Sequence, residues 1–287
     1  MLTITYKHFQ ATINPVGAEL SSLKVNQTEH LWHGDEKYWS GRAPVLFPIV
    51  GALKNDHMIY QGLRYEMPRH GIARRATFDC IAHSTSAVSL RLQSDEKSLQ
   101  QYPWQFELRV HFCLNESGLD ISYEVINNDE KPMLFTLGSH PAFALNCKNP
   151  TELSEYTVAV DQTEPLECYK LDSAGLLATT AEPHNSVFSL SETIFNDDAL
   201  VFRNIAARSI SLHYKDNAVL TVDTDGAPHL GIWSKPGAPF VCIEPWLGTS
   251  DFIDSDNQFE NKPDLSTLAS GETYHHRIGV TFSLPVV

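Results

Sequence analysis

Hydrophobic and polar positions alternate with a period of two through most of this chain. Phe9, Ala11 and Ile13 share one side of a short run, as do Val88, Leu90 and Leu92. The sets Phe106, Leu108, Val110, Phe112 and Leu119, Ile121, Tyr123, Val125 repeat the pattern, and it returns in Ser209–Tyr214, Ala218–Val222 and Tyr274–Phe282. Short alternating runs bounded by Asn, Asp, Gly and Pro predict antiparallel strands with one buried face. Glu116-Ser117-Gly118 and Asn127-Asn128-Asp129 predict hairpin turns. Helical signal is thin, with a turn or two of helix expected over Ser94–Tyr102 and again over Pro263–Leu268. The run Ala43-Pro44-Val45-Leu46-Phe47-Pro48-Ile49-Val50-Gly51 is apolar, but its prolines forbid a regular central strand and predict an irregular wall. No repeat and no low-complexity linker divides the sequence. The expected architecture is therefore all-β: one large antiparallel β-sandwich domain over residues 1–287.

Composition narrows the function. With 42% hydrophobic and 10% aromatic residues the chain can bury a substantial core. The formal charge of −14 argues against a nucleic-acid partner, because binding to phosphate backbones relies on Lys and Arg releasing condensed counterions. The five cysteines form no C-x-x-C pair and leave an odd count, which suggests buried reduced thiols rather than a zinc ribbon or a disulfide framework. The N-terminus has no signal-like apolar region, and no stretch approaches eighteen apolar residues, so a cytoplasmic protein without a membrane partner is expected.

Chemistry gathers in four segments: Ala43–Gly51, Met67–Arg74, the surroundings of His140, and the surroundings of Glu244. Glu244 follows the apolar run Phe240-Val241-Cys242-Ile243, so it is either paired with an Arg or Lys or raised in pKa by desolvation. His140 sits between Gly138-Ser139 and Pro141, a tight bend able to present the ring. A carboxylate and an imidazole aimed into one cavity are what reversible proton transfer near neutral pH requires. Taken alone, His70 reads as a structural or surface histidine. The pairs His30/His33 and His275/His276 lack a metal-binding spacing, and Gly138-Ser139-His140 lacks the second glycine of a nucleophile elbow. No metal is predicted.

In order and spacing these segments resemble the aldose 1-epimerase, or galactose mutarotase-like, family, and especially its LacX-type branch. The likeness runs through Asn14–Leu20, Tyr38-Trp39, Ala43–Pro48, Arg69–Arg74, Ser139–Phe143, Asp197–Phe202 and Ile243–Trp246. It implies a galactose mutarotase-like supersandwich holding a monosaccharide or sugar phosphate in an open cleft. It further implies mutarotation, the exchange of α and β anomers, with no cofactor. Glu244 would be the base that takes the O1 proton and His140 the acid that protonates the ring oxygen, the two facing each other across the cleft, ionised and protonated respectively. His70 would hydrogen-bond the sugar, and Asp198, with Asp197 as competitor, would accept from a ring hydroxyl. Relatives usually carry an arginine where this chain has Ala52. Arg42, Lys54 or Arg74 could replace that charge, and Arg74 would suit a hexose phosphate. Trp233 could stack on a pyranose or simply fill the core. Two other readings stay open: a non-catalytic carbohydrate-binding protein of the same fold, and a glycoside hydrolase using Glu244 with Asp198 or Asp225. Oligomeric state has no signature.

Overall fold

The two alternating runs around Gly118 form the strands Phe106–Leu114 and Gly118–Asn127, paired antiparallel in a computed structural model that describes residues 1–283. They lie inside a nine-stranded sheet. Its order runs from Val187–Ser189 through Tyr156–Val160, Ser209–Tyr214, Asn217–Asp223, Thr273–Phe282, Gly118–Asn127, Phe106–Leu114 and Ala87–Gln93 to Asp79–His83. A second sheet runs from Leu177–His184 through Leu166–Leu171, Leu200–Arg203, His229–Trp233, Phe240–Trp246 and Gly138–Ser139 to Val45–Leu46. A four-stranded sheet built from Leu2–Tyr6, Phe9–Asn14, Glu19–Val25 and Thr28–Glu29 packs on the same core. Every ladder between these strands is antiparallel.

Period two decides which residues meet. Leu108, Val110, Ile121 and Val125 from the nine-stranded sheet share one core with Leu230, Ile232, Val241 and Ile243 from the second. Each fully buried aliphatic or aromatic side chain of this kind contributes about 1.5–3 kcal/mol. The alternate positions of the second sheet, among them Gly231, Trp233, Cys242, Glu244 and Trp246, necessarily point the other way. All seven residues of Phe240–Trp246 are buried, so this central strand has protein over both faces.

Three local expectations are corrected. The cysteines are free but not all buried: Cys80 and Cys113 are exposed and Cys147 is half-buried, which leaves Cys168 and Cys242 in the interior. Pro263–Leu268 is not helical: Ser266–Leu268 is a strand paired with Met133–Phe135, and a single 3-10 turn lies earlier, at Phe259–Asn261. Asn127-Asn128-Asp129 is a strand end and bend, not a hairpin turn, because the chain leaves the nine-stranded sheet there for that small ladder instead of returning beside itself. The Ser94–Tyr102 expectation shrinks to one turn at Glu96–Leu99, held by a capping box between Asp95 and Ser98. Ala43–Gly51 is the buried irregular wall expected, with only Val45–Leu46 in a ladder.

Candidate active site

Register brings the imidazole to the carboxylate. Gly138 pairs with Trp246, and Ala142 pairs with Cys242. Between those two points the spacing is the same on both strands, so His140 falls opposite Glu244. The backbone holds this alignment from both sides: Leu247 N–H donates to Leu137 O at 2.8 Å and Ile243 N–H donates to Pro141 O at 3.2 Å. Opposed residues on paired strands present their side chains on the same face. His140 Nδ1 accordingly lies 3.3 Å from Glu244 Oε2, with the residues 8% and 1% exposed. The approach is close, but its angle is wrong for a hydrogen bond, and both atoms are buried without another partner. The acid and base expected on facing walls are instead side by side on one floor.

Above that floor is a cavity of about 460 Å³. Trp39 stacks on the His140 ring with centroids 4.9 Å apart and planes 23° apart, and Trp233 meets the same ring edge-on at 5.8 Å. The Trp246 ring is seated between two glycines: a Cβ on Gly231 would lie 2.4 Å from it, and one on Gly138 2.7 Å. Neither position needs glycine for its backbone angles; both need it for room.

His70 has a φ of 67° and is braced by the Gly51 backbone, whose N–H donates to His70 Nδ1 at 3.1 Å while Gly51 O accepts from His70 N–H at 2.7 Å. With Nδ1 accepting, the ring's proton sits on Nε2, which leaves His70 a donor. Asp198, another left-handed residue with φ 72°, lies 3.7 Å from Arg69, and both line the cavity. Arg74 and Lys235 complete a cationic rim, and Arg74 makes no ion pair or side-chain hydrogen bond among the described residues.

Burial dominates the electrostatics. It pushes the Glu244 carboxyl well above the ordinary carboxylate range, with Arg69 and then the neighbouring Trp246 indole N–H pulling the other way and Asp198 adding to the rise. It drives His140 down to about 3, helped by Arg74 and Arg69. His70 is also held well below its usual range, first by burial and then by His140, Arg69 and Arg74. Desolvation therefore favours the neutral forms of His140 and Glu244, where an ionised carboxylate and a protonated imidazole were expected. The two arrangements contain the same single proton and differ only in which atom holds it.

The aldose 1-epimerase family model matches residues 1–281. The chain belongs to the aldose 1-epimerase family. Among curated relatives of this epimerase-family chain, the plasmid-encoded protein LacX of Lactococcus lactis subsp. lactis is 30% identical, over 98% of this chain and 99% of the relative. The solved structure of a galactose mutarotase related enzyme from Lactobacillus acidophilus superposes with a TM-score of 0.93 at 30% identity, covering 98% of this chain and 97% of that one. A galactose mutarotase-like protein from Lactobacillus casei ATCC 334 gives the same TM-score at 29% identity, covering 99% and 100%.

Around this epimerase-family cavity, the sequence-derived candidates fall into place unevenly. His140, Glu244, His70, Asp198 and Arg74 all line it. Asp197 opens instead onto a smaller neighbouring hollow with Cys168 and Glu182. Asp225 belongs to a separate groove beside Arg277. Ala52 is buried and its N–H is taken by Ser250 Oγ; Arg42 turns away to donate to His33 O, and Lys54 donates to Ser255 O. Of the three cations weighed as replacements for the family arginine, only Arg74 reaches the cavity. Trp233 lines the cavity and also packs against the buried Trp32–Phe240 cluster. Sequence reasoning missed Arg69, Lys235, Trp246 and the role of Trp39 as the cover of His140. Among the described residues, no helix is long and apolar enough to cross a membrane.

Proposed function

We propose that this chain is a mutarotase that interconverts the α and β anomers of a hexose or hexose phosphate. The observation that carries the reading is the buried His140–Glu244 pair, 3.3 Å apart, partnerless and open to a cavity of monosaccharide size. The anomeric hydroxyl O1 and the ring oxygen are bonded to the same carbon, so an acid and a base that adjoin can reach both at once. With the pair's single proton on His140, Glu244 takes the O1 proton, the C1–ring oxygen bond breaks as C1=O1 forms, and His140 protonates the departing ring oxygen, which leaves the pair in its neutral arrangement. Rotation about C1–C2 followed by the reverse transfers closes the other anomer. A single proton suffices for the pair throughout, and each turnover returns it to its starting arrangement.

His70 Nε2–H serves as a donor to the sugar and Asp198 as an acceptor for a ring hydroxyl, with Arg69 holding that carboxylate. Arg74 and Lys235 at the rim favour a phosphate on the sugar, against the chain's overall negative field. The two competing readings find less support. A binding protein has no use for a matched acid and base, and a hydrolase would need a second free carboxylate, whereas Asp198 is engaged by Arg69 and Asp225 lies elsewhere.

Exchange NMR on glucose, galactose and their 6-phosphates tests the proposal. Anomer exchange should exceed the buffer rate, and Glu244→Gln and His140→Gln should each lower it about 10²- to 10⁴-fold with the fold intact. Exchange at the buffer rate with the wild-type chain, alongside measurable sugar binding, would replace this reading with the binding protein.

A further inference from the structure

A third donor shares the face that carries the acid/base pair. Cys242 lies two residues before Glu244 on the same strand, opposite Ala142, and is fully buried. Its sulfur, a His140 ring nitrogen and a Glu244 carboxylate oxygen all lie within 4.8 Å of one another. On the same two residues, each more than nine-tenths buried, His140 Nδ1 and Glu244 Oε2 have no hydrogen-bond partner. Buried polar atoms are ordinarily paired, and an orphaned nitrogen and oxygen beside a thiol form a set that suits one kind of ligand.

We propose that His140, Cys242 and Glu244 form a site for a thiophilic divalent cation, Zn²⁺ above all, whose binding blocks the acid/base pair. One nitrogen, one sulfur and one oxygen are donors zinc takes readily, while Mg²⁺ and Ca²⁺ prefer oxygen alone. Bonds of about 2.0–2.3 Å to the metal require the widest pair of donors to draw together by about 1 Å. The fourth position faces the cavity through which the ion enters, since His140 and Glu244 both line it. Protons balance: the Cys242 thiol and the His140–Glu244 pair each give up one, leaving neutral imidazole, thiolate and carboxylate around a dication. The resulting complex has no net charge, which a buried site favours. Blocking of catalysis rests on the mutarotase reading; binding of the ion does not.

Titration of the full chain with Co²⁺ as a spectroscopic probe, then Zn²⁺ in competition, decides it. Wild type should develop thiolate-to-cobalt charge-transfer absorption that saturates at one equivalent and is bleached by Zn²⁺. Cys242→Ala and Cys242→Ser, which keep the other four cysteines, should lack the band. In exchange NMR, one equivalent of Zn²⁺ should stop wild-type anomer exchange and a chelator restore it. The Cys242 variants should exchange at the wild-type rate and resist Zn²⁺ by more than the roughly 10- to 100-fold that loss of a mere outer partner costs a metal site. The same band in Cys242→Ala, no band in wild type, or unaltered Zn²⁺ sensitivity in both variants overturns the proposal. Absence of anomer exchange from metal-free wild type would remove the mutarotase reading, while the cobalt spectrum would still decide the site.

Discussion

His140 faces Glu244 across a strand pair, with Gly138–Trp246 on one side of them and Ala142–Cys242 on the other keeping the register. Backbone hydrogen bonding, rather than a flexible loop, thus sets the 3.3 Å separation of imidazole and carboxylate. A slip of one residue would send either side chain to the opposite face and dismantle the site. Precision of this kind suits a reaction whose two proton transfers occur at oxygens on one carbon.

One pH prediction follows from the shared proton. The acid limb of a mutarotase appears when a second proton joins the pair, and burial holds His140 at about 3. With a chelator present, kcat/KM should be flat between about pH 5 and 7, with no inflection near the ordinary imidazole value of about 6.5. Activity lost through an inflection near that value would show that the neutral pair is not the resting state.

Trp39 covers the His140 ring and should fix its plane. An aromatic contact of this kind is worth about 0.5–1.5 kcal/mol beyond burial, so Trp39→Leu should lower kcat about 2- to 10-fold. Trp39→Phe should recover most of the loss. Steady-state anomer exchange would separate the two, and a change confined to KM would make Trp39 a sugar contact instead.

His70 offers a cleaner separation of binding from chemistry. Asn tolerates a φ of 67° and can still accept from Gly51 N–H, but it has no counterpart of the imidazole Nε2–H on this cavity-lining residue. His70→Asn should therefore raise KM about fivefold, the value of one hydrogen bond of about 1 kcal/mol, and leave kcat nearly unchanged. A kcat loss comparable to that of His140→Gln would put His70 in the proton transfers.

Arg74 distinguishes the substrates. Its guanidinium has no ion pair among the described residues and lies at the cavity rim. A hydrogen bond to a charged group is worth about 1.5–3 kcal/mol, so Arg74→Ala should raise KM for a hexose 6-phosphate about 10- to 100-fold and barely affect the neutral hexose. Equal effects on both sugars would place the substrate among unphosphorylated hexoses.

The strands were legible because their signal is local: alternation over Phe106–Leu114 or Ser209–Tyr214 can be counted along the chain. Glu244 could be singled out because a carboxyl in an apolar strand is anomalous wherever the strand lies. Which strands pair is not local information, so the register joining residues 138–142 to residues 242–246 could not be read, and neither could the 3.3 Å contact it creates. The same limit hid Trp39, about a hundred residues before the ring it covers. Pro263–Leu268 misled for a related reason: its end is drawn into a ladder by Met133–Phe135, a partner distant in sequence, which overrides weak local preference. Arg69 was overlooked although it adjoins His70, since nothing in the sequence told its cavity-lining side chain from an ordinary surface arginine.

The buried carboxyl should also set how stability varies with pH. Burial holds Glu244 well above its ordinary value of 4.5, so between that value and the native one the folded chain keeps a proton that the unfolded chain has lost. Stability from this group is present at low pH and declines as pH rises through that window. His140 acts in the opposite sense lower down: between about 3 and 6.5 the unfolded chain binds a proton the native state refuses, so stability rises with pH there. Gln at position 244 is neutral at every pH and removes the first effect alone. Glu244→Gln should therefore melt close to wild type at pH 4 and several degrees above it at pH 8, at about 2–4 °C per kcal/mol for a chain of this size. That gain, set against the loss of anomer exchange in the same variant, would mark Glu244 as a group kept for chemistry at the expense of stability. Thermal melts across pH 4–8 provide the check, and a melting temperature at pH 8 equal to or below that of wild type would mean that the native carboxyl is ionised and held by its neighbours.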